Sequence, residues 1–161
     1  MFIDSCLYYD FHKYIDVISI NKNYFQKEDL KNISCLKSLY SCKEPKFTIH
    51  DYIDKIMKDI YKEDTHIDGL IINAVVLLKR VTQHLIVNNY NIHRLLAGVL
   101  MLSQKVYDDT HYNNDSWAII CGVQLIDINR MELDILQIID YNTFIKHEEM
   151  LSIVKSIKYL Q

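Results

Sequence analysis

The sequence predicts an all-α protein, a five-helix bundle that follows an N-terminal helical extension. The chain of 161 residues has only 3 Gly and 1 Pro, too few for the many turns of a β-sandwich or a parallel α/β fold. Apolar residues recur three and four positions apart, which is the spacing of one helix face. Hydrophobic residues make up 50% of the chain, so it can bury one core with short connections between helices.

The helical extension is predicted over residues 1–44, and the bundle over residues 45–161. Pro45 marks the boundary, because the residue before a proline disfavours helix. Two apolar patterns at helical spacing precede it: Leu7, Tyr8, Phe11, Tyr14, Ile15 and Ile18 in the first, and Leu30, Ile33, Leu36 and Leu39 in the second.

The first two bundle helices follow Pro45. Thr48 is the predicted cap of the first, with Asp51 three residues later in the manner of a capping box. The apolar stripe of that helix is Ile49, Tyr52, Ile53, Ile56, Met57 and Ile60. Asp64 or Thr65 is the expected cap of the second helix, which runs to about residue 86.

The third helix is predicted over residues 92–108 with Asn91 as its cap, and it is apolar on nearly every side. Such a helix belongs at the centre of a bundle. Gly98 lies within it, although glycine costs about 1 kcal/mol there relative to alanine. We expect that close approach of another backbone offsets this cost.

Two more helices complete the predicted bundle, after a short helical turn over residues 116–120 that leads to Gly122. The fourth covers residues 125–140 and the fifth residues 147–160. The expected inward positions are Leu125, Ile128, Met131, Ile135 and Ile138 or Ile139 in the fourth, and Met150, Leu151, Val154, Ile157 and Leu160 in the fifth.

Charge and composition restrict the classes of partner. A formal net charge of −3 and a pI near 6.1 disfavour nucleic acid, because phosphate backbones are bound mainly by clustered Lys and Arg. No apolar stretch reaches the roughly 20 residues of a membrane-spanning helix, and no basic run precedes the first apolar residues. The sequence predicts an intracellular protein, cytoplasmic or nuclear, whose partners are proteins and neither nucleic acid nor membrane.

The 4 cysteines form no C-x-x-C pair and have no histidine at zinc-finger spacing. Free thiols are the simplest interpretation, with a disulfide between Cys35 and Cys42 as the alternative. Cys121 has no base near it in sequence, so a buried apolar role is favoured over that of a nucleophile.

Two charged residues distinguish the segment from residue 91 to residue 136. Lys105 lies near the end of the apolar third helix, and Glu132 lies inside the fourth. Lys105 alone could extend to water and complement the helix dipole, and Glu132 alone could pair within its own helix. Neither belongs to a recognisable catalytic motif, so together they favour a surface that binds a partner.

Asp108 and Asp109 follow at the end of the third helix, where the helix dipole disfavours acidic residues. Contact with basic residues of a partner would compensate. With His111 they could instead be metal ligands of a small hydrolase, but no further helix-borne ligand stands at a useful spacing. We therefore predict no metal, no cofactor and no catalytic residue.

Five motifs in order resemble the cyclin box, and they resemble most the P-type, phosphate-signalling (cyclin P/U-like) branch of cyclins. They are FTIHDYIDKI in the first bundle helix, NIHRLL and LSQKVYDD at the two ends of the third, HYNN in the next loop and INRMELDIL in the fourth. The resemblance implies a single cyclin box that has no enzyme activity of its own. It also implies a regulatory subunit that binds and activates a cyclin-dependent protein kinase. The alternative is a cyclin-fold scaffold that binds another protein without activating a kinase.

The resemblance implies site residues as well. The family's counterparts of Lys105 and Glu132 contact the kinase near its mobile αC helix, through charge-assisted bonds to backbone groups. Asp108 and Asp109 are expected to flank them. Lys79 stands where cyclins commonly have an acidic residue, and Asp51 or Asp54 would form a reversed ion pair with it.

Structural roles are expected for several neighbours of these residues. His93 and Arg94 should stabilise the start of the third helix. Asn113, Asn114 and Trp117 should order the loop and cover the core.

Overall fold

A computed structural model describes residues 6–20, 36–60 and 67–158. The elements within these ranges are α1 (Cys6–Ile20), a 3₁₀ helix (Lys37–Leu39), α2 (Ile49–Ile60), α3 (Ile67–Thr82), α4 (Ile92–Tyr107), α5 (Asn114–Cys121), α6 (Leu125–Ile138) and α7 (His147–Lys158). No β-strand occurs in the described ranges, and the all-α prediction is confirmed. None of the helices described is long and apolar enough to cross a membrane.

The predicted bundle helices are present, with some different ends. α3 ends at Thr82 instead of near residue 86, and α5 is a helix of 8 residues where a short turn was expected. The predicted caps Asp64 and Thr65 and the apolar positions Leu30, Ile33 and Leu160 lie outside the described residues.

The start of α2 follows the prediction. The Thr48 hydroxyl accepts a hydrogen bond from the Asp51 backbone amide at 3.1 Å and donates to the Asp51 carboxylate at 2.6 Å. Satisfying the first amides of a helix in this way stabilises its N-terminus. One face of α2 is buried, at Ile49, Ile53, Ile56, Met57 and Ile60.

α4 is the central helix, as its apolar sequence predicts. It packs against α2, α3 and α6, and every residue from Leu95 to Gln104 is buried. Asn91 stands at its cap position, but its side chain makes no cap bond. Instead the Asn91 amide accepts from the Asn88 backbone amide at 2.8 Å and donates to the Ile86 carbonyl at 2.9 Å. The predicted cap bond is absent because the Asn88 backbone amide and the Asn91 side chain are buried and need hydrogen-bond partners of their own.

Gly98 lies where α4 approaches α6. A Cβ atom at Gly98 would lie 2.3 Å from Cδ1 of Ile135. The space is therefore occupied by a side chain, and the expected approach of another backbone is wrong. The same contact places the middle of α4 beside the second half of α6.

Gly122 ends α5 in the left-handed conformation, with φ of 67°. Its amide donates to the Ile119 carbonyl at 3.2 Å, and the next amide, of Val123, donates to the Ala118 carbonyl at 3.0 Å. Glycine suits this position because it carries no Cβ. The tight turn brings α5 and α6 into contact.

The inward residues of α6 and α7 match the prediction only in part. Ile128, Met131, Ile135 and Ile139 are buried on or directly after α6, and Ile153 and Ile157 on α7. Leu125 is 39% exposed because it belongs to the exposed turn at the start of α6, and Leu151 is 49% exposed. Leu151 is two residues before the buried Ile153 and therefore about 160° around the helix from it, away from the packed face of α7.

α1 contributes to the same core as the bundle. Phe11 and Ile15 are fully buried, and α1 packs against α3 and α7. The division of the chain at residue 45 stays a prediction.

A cluster of polar side chains links α1 to α2. His12 Nδ1 lies 2.6 Å from His50 Nδ1. His12 Nε2 lies 3.1 Å from the Asp54 carboxylate, and His50 Nε2 lies 2.7 Å from the Asp16 carboxylate. Tyr8 donates to the Asp54 carboxylate at 2.5 Å. Each aspartate therefore binds the histidine of the other helix.

Candidate functional site

Lys105 and Glu132 lie side by side at the surface where α4 meets α6. Lys105 is in the last turn of α4, and Glu132 is in the middle of α6. The Lys105 ammonium lies 2.6 Å from Oε1 of Glu132, and the two side chains are 21% and 19% exposed. The structure thus brings together the two residues that the sequence singled out, as a partly buried ion pair.

Asn114 completes this arrangement from the first residue of α5. Its Oδ1 accepts from the Lys105 ammonium at 2.5 Å, and its Nδ2 donates to Oε2 of Glu132 at 2.7 Å. The same Nδ2 donates to Oδ1 of Asn129 at 2.7 Å. The ion pair and the amide form a closed ring of hydrogen bonds that joins three helices.

The sequence predicted that Asn114 orders the loop and covers the core. Its contact with the ion pair was missed because Asn114 is nine residues from Lys105 and eighteen from Glu132. The sequence does contain one indication of this contact, because HYNN has two successive asparagines at the start of a helix. A single residue caps a helix, so the second amide is available for another purpose.

Asn113 is the residue that caps α5. Its Oδ1 accepts from the Ser116 backbone amide at 2.9 Å. The expectation that Asn113, Asn114 and Trp117 order this loop agrees with the contacts found.

Gln104 fixes the end of α4 from the buried side. Its Oε1 accepts from the Trp117 indole at 3.1 Å and from the Tyr112 backbone amide at 3.2 Å. Trp117 is fully buried, and Gln104 is 3% exposed. Ser103, next to it, donates to the Val99 carbonyl within α4. These bonds hold α5 against the helix turn that carries Lys105.

Asp108 and Asp109 come directly after α4. Asp108 is the C-cap residue and is half-buried, with its backbone amide donating to the Gln104 carbonyl at 2.8 Å. Asp109 is exposed. Within the described ranges, no group of three or more His, Cys, Asp or Glu side chains is arranged to hold a metal ion, and this includes Asp108, Asp109 and His111.

Apolar side chains are exposed next to the ion pair in sequence. Val106 follows Lys105 and is 47% exposed, and Leu133 follows Glu132 and is 52% exposed. Ile126 is 51% exposed and lies seven residues before Leu133, so both share one face of α6. An apolar surface beside charged groups is typical of a protein interface.

His93 and Arg94 have the structural surroundings that the sequence suggested. Arg94 donates to the Ser38 carbonyl at 2.7 Å and pairs with the Asp127 carboxylate at 3.0 Å. It therefore connects α4 to the 3₁₀ helix and to α6. His93 Nε2 contacts the Phe47 carbonyl at 3.0 Å.

The reversed ion pair at Lys79 does not form among the described residues. Asp54 contacts Tyr8 and His12 of α1, and Asp51 contacts Thr48. Lys79 itself is exposed. The hypothesis failed because both carboxylates have nearer partners.

Cys42 and Cys121 are free thiols. Cys42 is exposed and Cys121 is buried. Burial raises the pKa of the Cys121 thiol to about 12, so the reactive thiolate is scarce at neutral pH. Cys35, the other half of the alternative disulfide, lies outside the described residues.

Comparison with known proteins adds independent information. The family model named Cyclin matches residues 13–143. Cyclin-U1-1 of Arabidopsis thaliana is 30% identical over 109 residues, which cover 66% of this chain and 50% of that protein. PHO85 cyclin-like protein psl1 of Schizosaccharomyces pombe is 30% identical over 126 residues, covering 75% and 49%. Cyclin-P1-1 of Oryza sativa subsp. japonica is 40% identical over 57 residues, covering 35% and 22%.

The two plant relatives carry the names of a U-type and a P-type cyclin, and the third is named a PHO85 cyclin-like protein, in agreement with the resemblance in the sequence. The chain spans about half the length of the first two of them. The family match begins within α1 and extends past α6, so it includes Lys105, Asn114 and Glu132. With the family match over most of its length and its all-α fold, the chain belongs to the cyclin family.

Proposed function

We propose that this protein is the regulatory subunit of a cyclin-dependent protein kinase, which it binds and activates by keeping the kinase αC helix in its active position. The observation that carries the proposal is the partly exposed Lys105–Glu132 ion pair, 2.6 Å apart where α4 meets α6. Cyclins are regulatory subunits, and we infer that this chain likewise does no chemistry itself.

The ion pair retains bonding capacity for a partner. An ammonium has three N–H donors, and Lys105 uses two of them, toward Asn114 and Glu132. A carboxylate offers about four lone-pair sites, and Glu132 accepts from Lys105 and Asn114. A peptide segment that presents a backbone carbonyl and a backbone amide could therefore bind without breaking the pair, through charge-assisted bonds.

Such binding would activate a kinase by shifting a conformational equilibrium. An active protein kinase requires its β3 lysine to pair with a glutamate of αC. A surface that binds only the conformation with αC turned inward increases the population of that conformation. The exposed Val106 and Leu133 would supply apolar contact area.

Asp108 and Asp109 are proposed to contact basic residues of the kinase. They follow Lys105 closely in the chain, and Asp109 is exposed. Acidic groups at the edge of an interface act mainly on the association rate and on partner choice.

Binding and activity measurements with paired variants test the proposal. The kinase that the chain retains from its source cell is identified, purified and titrated with wild type, Lys105→Ala and Glu132→Ala. We expect the purified chain to raise kinase activity. We expect each variant to weaken binding by roughly 2–5 kcal/mol, because it removes a charged group that would bind a kinase backbone group in the buried interface. The controls Lys79→Ala and Glu148→Ala remove the same charges from exposed positions of α3 and α7 and should bind normally.

Three outcomes are informative. Normal binding by both Lys105→Ala and Glu132→Ala would contradict the site. Binding without activation would favour the scaffold. Failure of the wild-type chain to bind any cyclin-dependent kinase would contradict the proposed function itself.

A further inference from the structure

Asn114 is placed to orient the Lys105–Glu132 pair, and its side chain has no role in capping α5. The cap is supplied by Asn113, whose Oδ1 accepts from the Ser116 amide. The Asn114 side chain instead contacts Lys105, Glu132 and Asn129. All three contacts lie outside its own helix.

The chemistry of the two charged groups fixes the orientation of this amide. An ammonium can only donate hydrogen bonds, and an ionised carboxylate can only accept them. The Asn114 oxygen must therefore face Lys105, and its nitrogen must face Glu132. A carboxamide is one of the few side-chain groups that offer an acceptor and a donor in fixed geometry to two opposite charges at once.

This contact restricts two flexible side chains. Lysine and glutamate lose much rotamer freedom when they are immobilised. If they are already ordered in the free protein, binding a partner does not have to order them, and affinity increases. The ring that Asn114 closes would thus organise the surface before the kinase arrives.

We propose that Asn114 is the positioning residue of the kinase-binding pair, holding Lys105 and Glu132 side by side in the free protein so that both meet the kinase already oriented. This inference rests on the proposed function, because it assigns Asn114 to the same surface. It adds a third helix, α5, to the elements that determine kinase affinity.

The first test needs no kinase. In wild-type protein labelled with ¹⁵N-lysine, the hydrogen-bonded Lys105 ammonium should give a signal protected from exchange with water, identified by its absence in Lys105→Ala. Asn114→Ala should remove this protection. Asn113→Ala is the matched control. It removes the α5 cap but leaves the Asn114 amide in contact with Lys105 and Glu132, so the protected signal should remain. Unchanged protection in Asn114→Ala would overturn the proposal.

The second test measures kinase affinity. Asn114→Ala should raise Kd about tenfold, because binding must then order the Lys105 and Glu132 side chains that Asn114 holds in the wild type. Asn113→Ala should change Kd less than about twofold. In the Lys105→Ala background, Asn114→Ala should cost less than it does alone, because a positioning residue acts through the pair. Equal Kd values for wild type and Asn114→Ala, or full additivity, would contradict the proposal.

Asn114→Asp covers the case in which the alanine variant folds poorly. An acidic residue suits the first turn of a helix, so α5 should form. The variant keeps an acceptor for Lys105, but it has no donor for Glu132 and places a second negative charge beside it. Its Kd should rise as in Asn114→Ala, and an unchanged Kd would overturn the proposal. If the wild type shows the protected ammonium but binds no cyclin-dependent kinase, the proposed function has failed, and the role in kinase binding fails with it.

Discussion

Single buried polar residues determine how the end of α4 is held. Gln104 and Ser103 interrupt an otherwise apolar helix, yet they are 3% and 0% exposed. Gln104 is present because the buried Trp117 indole needs an acceptor, which Gln104 supplies at 3.1 Å. The position next to Lys105 is therefore polar for a structural reason.

Gln104→Leu should lower the free energy of unfolding by roughly 1–3 kcal/mol, since it leaves the buried Trp117 indole without an acceptor. The Tyr112 amide loses the same acceptor. Urea denaturation followed by far-UV circular dichroism measures the change. Gln137→Leu, at an exposed position of α6, is the control and should change stability by less than about 0.5 kcal/mol. Equal stability of Gln104→Leu and wild type would show that the indole bond contributes nothing net.

Pairs of helices position the site through close packing. α4 approaches α6 at Gly98, where the Ile135 side chain occupies the space of a Cβ. α5 contacts α6 after the turn at Gly122. Lys105, Asn114 and Glu132 can meet because each of these three helices has a fixed neighbour.

Gly98→Ala should destabilise the protein because its new methyl group would lie 2.3 Å from Ile135 Cδ1. Overpacking costs about 1–3 kcal/mol, and the better helix propensity of alanine returns about 1 kcal/mol. Ile135→Val deletes Cδ1, so it should cost less in the Gly98→Ala background than the roughly 0.5–1.5 kcal/mol expected alone. A double-mutant cycle of unfolding free energies measures this coupling. Strict additivity would show that the two residues do not compete for space.

The whole molecule depends on the attachment of α1 to the bundle. Phe11 and Ile15 provide the apolar part of that contact, and the cluster around His12 and His50 provides the polar part. Both Nε2 atoms face carboxylates, which can only accept, so both carry a proton. The two Nδ1 atoms, 2.6 Å apart, can share one proton but have no room for two.

Mild acid should therefore weaken the fold. Burial lowers the pKa of His12 in the folded protein, and the Asp54 carboxylate opposes this shift. The unfolded chain then binds more protons than the folded chain as pH falls through about 6.5. The stabilisation is present above that pH and is lost below it. Urea unfolding at several pH values between about 7.5 and 5.5 should show decreasing stability.

Matched variants assign this pH effect to the cluster. His12→Gln should flatten the dependence, whereas His84→Gln, at an exposed position after α3, should leave it unchanged. Comparing each variant with wild type cancels the contribution of carboxylates outside the cluster to the pH dependence of the unfolding free energy. Parallel curves for His12→Gln and wild type would assign the acid sensitivity to other groups.

Local sequence patterns predict the helices of this protein, but they do not predict most of the contacts between the helices. The stripe on α2 and the apolar α4 follow from a period of 3.6 residues, and Thr48 is recognisable as a cap from its neighbours alone. Leu125 and Leu151 show the limit of the pattern. Both are apolar and both are exposed, because burial depends on which neighbouring element covers a position.

Four features follow from the sequence alone: the all-α class, the order of the bundle helices, the cyclin resemblance, and the choice of Lys105 and Glu132 as the residues of interest. These features are carried by side-chain spacing and by short motifs, which are local. The packed fold was needed to show that Lys105 and Glu132 form an ion pair, that Asn114 bridges them and that His12 contacts His50. These contacts join residues 9 to 38 positions apart, and they exist because helix packing, which no local pattern encodes, brings distant side chains within hydrogen-bond distance.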